Sequence, residues 1–168
     1  MVSPMSKRLL IRADASSSAG AGHVMRSLAL AMAAERMGLD VRLAGRFPVP
    51  WLRERLEKEG VPLIEVPGPI PSHERVEDLL GLIASVRPDF LVLDGYHFDL
   101  ACQSAAMEAG CRLMVVDDYG HLPEYRADIL LNQNLGSEAI PYTGRIGEFL
   151  LGPSFALLRP EFAEARAH

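Results

Sequence analysis

Six short apolar runs punctuate the sequence: 8–14 (RLLIRAD), 40–45 (DVRLAG), 62–67 (PLIEVP), 89–96 (DFLVLDGY), 111–118 (CRLMVVDD) and 127–134 (ADILLNQN). Each ends in polar residues, proline or glycine, and none of them alternates cleanly, a pattern that fits strands covered on both faces. Between them lie the longer stretches 23–38, 50–60, 73–88 and 98–110. In the third of these, Val76, Leu79, Leu80, Ile83 and Val86 recur at steps of three and four and share one helical face. Gly38, Gly60 and Gly110 stand where helices should stop in a left-handed cap. Strand–helix alternation of this kind predicts parallel strands joined by crossovers, an α/β fold with a doubly wound, mostly parallel sheet.

Such sheets bind ligands beyond the carboxyl ends of their strands. Those ends carry Asp14, then Asp94 and Tyr96, then Asp117 and Asp118, then Asn132 and Asn134. Any one of these could be ordinary turn chemistry. As a set they line one edge, and the glycine-rich turn ASSSAGAGH (15–23) falls on the same edge.

That turn leads straight into a helical pattern. Gly20 and Gly22 permit positive φ and close approach of backbone N–H groups to a ligand, and the helix start near His23 favours an anion or an electron-rich oxygen. A dinucleotide fingerprint fails, because Met25 occupies its third glycine position and the second strand ends in Gly45-Arg46; a G-x-x-x-x-G-K-[ST] phosphate loop is absent. His23 is then the chemical feature of the turn. A helix amino terminus disfavours imidazolium, the property wanted in a general base, while the alternative use of His23 is as a cap or core side chain. Of the other histidines, His97 sits beside Tyr96 at the crevice edge, His73 at a helix start, His121 in a loop and His168 at the terminus. Asp117, Asp118 and His121 lack a defined ligand spacing, so no metal is expected.

Composition narrows the field. The chain has 168 residues, 49% of them hydrophobic, enough for the core of one domain. Its 17 basic and 22 acidic side chains give a net charge of −5, with no Lys/Arg run to match a phosphate backbone, so nucleic acid is not an expected partner. Cys102 and Cys111 read as reduced core thiols, which suits a cytoplasmic protein. No apolar run approaches the ~20 residues of a membrane span, and MVSPMSKR lacks the apolar region of a signal peptide; membrane insertion and export are not expected. Met5 is an alternative start.

Taken in order, RADASSSAGAGHVMRSLALA, LVLDGYHFD, VVDD, ADILLNQN and LLGPSFALLRPEF resemble the amino-terminal half of the pseudaminic-acid-pathway nucleotide-sugar hydrolases, which remove UDP from UDP-2,4-diacetamido-2,4,6-trideoxy-β-L-altropyranose, and of relatives named spore coat polysaccharide biosynthesis proteins. The resemblance implies a Rossmann-like domain over 1–158, the acceptor half of a GT-B-type two-domain architecture, with 159–168 starting the linker to a carboxyl-terminal nucleotide-binding domain. It implies hydrolysis without metal or cofactor, His23 helping water attack the anomeric carbon with inversion. It places Asp14 and the backbone of Gly20, Ala21 and Gly22 on the sugar-side wall and matches Tyr96 to the family's D-x-Y tyrosine; Asp94, Asp117 and Asn134 at the strand ends, with His97 at the crevice edge, are expected to bind the substrate beside them. This sequence reads Asp94-Gly95-Tyr96-His97 where the hydrolases typically read D-H-Y-G, a departure that bears on the identity of the sugar. A GT-B glycosyltransferase, with a hydroxyl acceptor in place of water, and a non-catalytic sugar-binding domain stand as alternatives. This half alone is expected to bind UDP poorly.

Overall fold

In β1 (Arg8–Ala13) every residue after Arg8 is buried, which places the strand at the centre of the sheet. The computed structural model describes residues 6–16, 20–159 and 161–162. Around β1 the chain lays down α1 (Gly22–Arg36), β2 (Asp40–Gly45), α2 (Pro50–Glu59), β3 (Leu63–Glu65), α3 (Val76–Val86), β4 (Phe90–Asp94), α4 (Leu100–Glu108), β5 (Arg112–Val116), β6 (Tyr125–Asn132) and β7 (Gly144–Leu151). The sheet order is β3-β2-β1-β4-β5-β6-β7, and every neighbouring pair is parallel. The doubly wound, Rossmann-like α/β sheet expected from the sequence is therefore what forms. Strand order reverses at β1, which pairs with β2 on one side and β4 on the other, so the loops after β1 and β4 diverge and open a crevice.

Alternation along the strands feeds two cores. Leu9, Ile11 and Ala13 pack with Val41, Leu43, Val92 and the α1 residues Val24, Leu28 and Ala31; Leu52 and Leu56 of α2 join them. Leu10, Leu91, Leu93, Leu113 and Val115 face the other way, against Leu79 and Ile83 of α3 and Cys102 and Ala106 of α4. Each fully buried aliphatic side chain contributes roughly 1.5–3 kcal/mol from its transfer out of water. Cys102 and Cys111 are buried and free.

The helix ends behave as expected at Gly38, Gly60 and Gly110, with φ of 86°, 74° and 92°. α3 ends instead on Arg87, a non-glycine residue at φ 53°, held there as Pro88 follows and blocks another turn. β7 lies outside the six apolar runs. Its sequence GRIGEFLL is mostly exposed at the sheet edge, so it needs no continuous apolar run. No helix among the described residues is long and apolar enough to cross a membrane. The alternative start at Met5 and most of the expected linker over 159–168 lie outside the described residues.

Candidate active site

After β1 the chain turns at Asp14. Ser16 and Gly20 then exchange backbone hydrogen bonds, Gly20 N–H to Ser16 O at 2.9 Å and Ser16 N–H to Gly20 O at 3.3 Å. Gly20 takes φ 75°, as expected. Gly22 differs from expectation: it is already the first residue of α1 and has no left-handed conformation, because the helix begins one residue before His23. Ala21 is the N-cap and offers no capping side chain.

His23 therefore sits in the first turn of α1, its side chain 19% exposed. Nδ1 lies 3.9 Å from Asp94 Oδ1 and Nε2 lies 3.7 Å from Asp118 Oδ2. The Tyr96 ring stands edge-on to it, 4.9 Å between centroids. Among the described residues, neither ring nitrogen has a hydrogen-bond partner. The ring borders a cleft of about 330 Å³ walled by Asp14, Tyr96, His97 and the 70–72 segment.

Arg26, one turn along α1 from His23 and hence on the same face, spans the two carboxylates beside the imidazole. Its Nε and Nη2 donate to Asp94 at 2.8 and 2.6 Å, and its Nη1 and Nη2 donate to Asp118 at 2.6 and 3.0 Å. Burial disfavours the guanidinium charge, but the two carboxylates outweigh it and hold Arg26 firmly cationic. Ser27 Oγ adds a bond to Asp94 at 3.0 Å, and Tyr96 OH donates to Asp118 at 2.7 Å. Burial and the Asp118 carboxylate push the Tyr96 phenol well up, so it is a neutral donor. Asn134 Nδ2 completes the cluster at 3.0 Å from Asp118 Oδ1. His23, Asp94, Tyr96 and Asn134, far apart in sequence, thus meet around Arg26 and Asp118.

Asp117 does not join them. It is fully buried, and its carboxylate accepts from Gly120 N–H at 2.5 Å, Tyr125 OH at 2.9 Å and Tyr142 OH at 2.7 Å, with His121 Nδ1 at 2.5 Å. Burial alone would raise this carboxyl, but His121, Gly120 N–H and the two phenols hold it well below the usual carboxylate range. The residue expected against the sugar is instead a strut for the loop, and its neighbour Asp118 faces the site.

Asp14 and His97 share the cleft wall and root in a second buried network. Asp14 accepts from Arg12 Nη1 at 2.6 Å, Arg46 N–H at 2.7 Å and Arg46 Nη1 at 3.0 Å. Glu74 accepts from Arg46 at 3.0 Å and Arg12 at 3.4 Å. His97 Nε2 stands 2.8 Å from Asp14 Oδ2 but off the hydrogen-bond line. Burial alone would raise Asp14; His97, Arg12 and Arg46 N–H keep it well below the ordinary range. Asp14, Glu74 and His97 are close enough to gather round a cation. Two guanidiniums already balance the two carboxylates there, so an added divalent ion would be a buried, uncompensated charge.

Arg26, Arg12, Arg46 and Glu74 escaped the motif reading. The helical spacing of His23 and Arg26 was a signal for the first. A charged Arg12 inside a strand otherwise buried on both faces was a signal for the second, since such a group demands a carboxylate.

Comparison with known proteins adds to this geometry. No protein-family model matches the chain. Over 161 residues, 92% of the chain, it is 31% identical to the UDP-2,4-diacetamido-2,4,6-trideoxy-beta-L-altropyranose hydrolase of Campylobacter jejuni. The two sequences are homologous. That supports the resemblance read from the motifs, and the chain spans about half the length of this relative, 53% of it. Among solved structures, MurG of Acinetobacter baumannii shares the fold with a TM-score of 0.56 and 14% identity over 83% of this chain and 44% of that one.

Proposed function

We propose that this chain is the sugar-side half of a nucleotide-sugar hydrolase, with His23 as general base. The observation that carries the reading is His23 itself: among the described residues neither ring nitrogen has a hydrogen-bond partner, and the ring lines a cleft of about 330 Å³. Homology to a hydrolase of a UDP-diacetamido sugar supports the substrate class. His23 takes a proton from water as the water oxygen bonds to the anomeric carbon. The carbon–oxygen bond to UDP breaks, its electron pair leaving with the diphosphate, and the anomeric configuration inverts. A diphosphate is already a good leaving group, so positioning of water and sugar together with a base supplies the required help.

Asp14, Tyr96, His97 and the Gly20–Ala21–Gly22 backbone form the sugar-side wall in this proposal, and a separate carboxyl-terminal domain beyond a linker starting at 159 holds the nucleotide in a GT-B arrangement. Isolated, the 168-residue chain then binds UDP poorly by calorimetry. The deciding experiment incubates the full-length protein with a panel of UDP-amino sugars and follows the released anomer by NMR. Free, inverted sugar that vanishes in a folded His23→Ala variant supports the reading. Turnover only with an added hydroxyl acceptor points to a glycosyltransferase using the same base, and undiminished turnover by His23→Ala rejects the mechanism.

A further inference from the structure

Asp117 and Asp118 are adjacent in sequence, yet they treat their histidines differently. Asp117, with no guanidinium on it, has His121 Nδ1 at 2.5 Å. Asp118 leaves His23 Nε2 at 3.7 Å, and Asp94 leaves His23 Nδ1 at 3.9 Å. The difference lies in Arg26. All four oxygens of Asp94 and Asp118 accept an N–H from this one side chain: Asp94 Oδ1 from Nη2, Asp94 Oδ2 from Nε, Asp118 Oδ1 from Nη1 and Asp118 Oδ2 from Nη2. Ser27, Tyr96 and Asn134 take further lone pairs.

We infer that Arg26 is a positioning residue that keeps His23 from collapsing into an ion pair with Asp94 or Asp118, and so holds both imidazole nitrogens available to water and substrate. Two carboxylates lie within 4 Å of the imidazole, and removing the single cation between them adds one net negative charge at that distance. The other charged or titratable groups facing His23 do not supply a substitute. From β4 come Asp94 and, beyond it, the neutral Tyr96 phenol; Asp118 follows β5; Asp14 follows β1 with its charge already balanced by Arg12 and Arg46; His97 stands across the cleft beside Asp14; the 70–72 wall carries no charge. The inference gives Arg26 a meaning within the hydrolase reading and rests on that reading for its catalytic consequence, though its electrostatic part can be measured without turnover.

The test is NMR titration of the His23 ring Cε1–H in this 168-residue chain, the signal assigned by its loss in His23→Asn. Arg26→Gln should move the His23 midpoint up relative to the parent. Asp118→Asn, which leaves the Arg26–Asp94 pair intact, should move it down, and Arg26→Gln with Asp118→Asn should bring it back towards the parent. If Arg26→Gln does not fold, Arg26→Lys takes its place: it keeps the charge, cannot span all four carboxylate oxygens, and should move the midpoint up by less. An unchanged midpoint in the folded variants overturns the inference. In the full-length protein the acid limb of kcat/KM should move to higher pH with Arg26→Gln while activity at high pH recovers in part; an equal loss at every pH marks a merely structural role and also overturns it. Titration shifts as expected in a protein that releases no UDP would leave the inference standing and sink the hydrolase reading.

Discussion

His97 folds back over Gly95 so closely that a Cβ at position 95 would stand 2.7 Å from its ring Cε1 and 3.1 Å from Nδ1, with Phe98 Cε2 at 3.3 Å. The ring is nearly buried and pinned beside Asp14, so it cannot swing aside freely. Gly95→Ala should therefore cost about 1–3 kcal/mol in urea unfolding, the range of an overpacked site. His97→Ala in the same chain should recover part of that loss. Equal stability of Gly95→Ala and the parent would show that the ring yields.

Acid should loosen the two loops beside the cleft before it melts the sheet. Asp14 and Asp117 both hold their protons less tightly folded than unfolded, for the hydrogen-bonding and charge reasons given above. A depressed carboxyl stabilises the fold above its unfolded pKa and loses that contribution as pH falls towards the folded one. Stability measured by urea at a series of pH values should hold near neutrality and fall progressively below about pH 5. Asp117→Asn should flatten that decline while lowering stability at pH 7.

Both thiols should be silent in the native protein. Burial, with help from Asp99 and Glu74, pushes the Cys102 thiol up to about 12, and burial also raises Cys111. The thiolate is the reactive species, so a thiol reagent at pH 8 should label neither residue until denaturant is added. Fast native labelling of either would contradict the buried placement.

Arg12 is 1% exposed and links Asp14 to Glu74, with its guanidinium carbon 5.3 Å above the Phe98 ring. Arg12→Met leaves two buried carboxylates to share Arg46. The loss should be about 3–5 kcal/mol by chemical denaturation. Adding Glu74→Gln should cost much less than its own single effect, because the second carboxylate is then no longer uncompensated.

The strands and the crevice edge were legible at β1, β2, β4, β5 and β6 because inner strands are mostly apolar and their ends must turn polar, and at the half-exposed edge strand β3 because Pro62 and Pro67 frame its short apolar run. β7 was not legible, since an edge strand with one covered face can be as mixed as GRIGEFLL. The candidate site was legible where chemistry and position coincide, at His23, Asp94, Tyr96 and Asn134, which the fold brings together. It was not legible where a side chain works through a partner distant in sequence: Arg26 meets Asp118 across 92 positions, and Arg46 meets Glu74 across 28. Asp117 and Asp118 part ways in the fold. Neighbouring residues of the same type point into different surroundings, and only the backbone path after β5 decides which one meets His23.

An all-parallel sheet collects its strand carboxyl ends, and with them the cleft, on one rim, and leaves the opposite rim for the strand starts. The sequence contains two lysines, Lys7 and Lys58. Lys7 directly precedes β1, and Lys58 lies in the last turn of α2, a helix that runs back towards the start of β3. Lys7 is held at the rim of strand starts by Asp89, 2.6 Å from its Nζ and just before β4, whereas Lys58 shares a groove with Met25 of α1. Coupling the protein to a solid support through Lys7 would tether it base-down, with the cleft presented to the solution and no chemistry spent on the residues that line it.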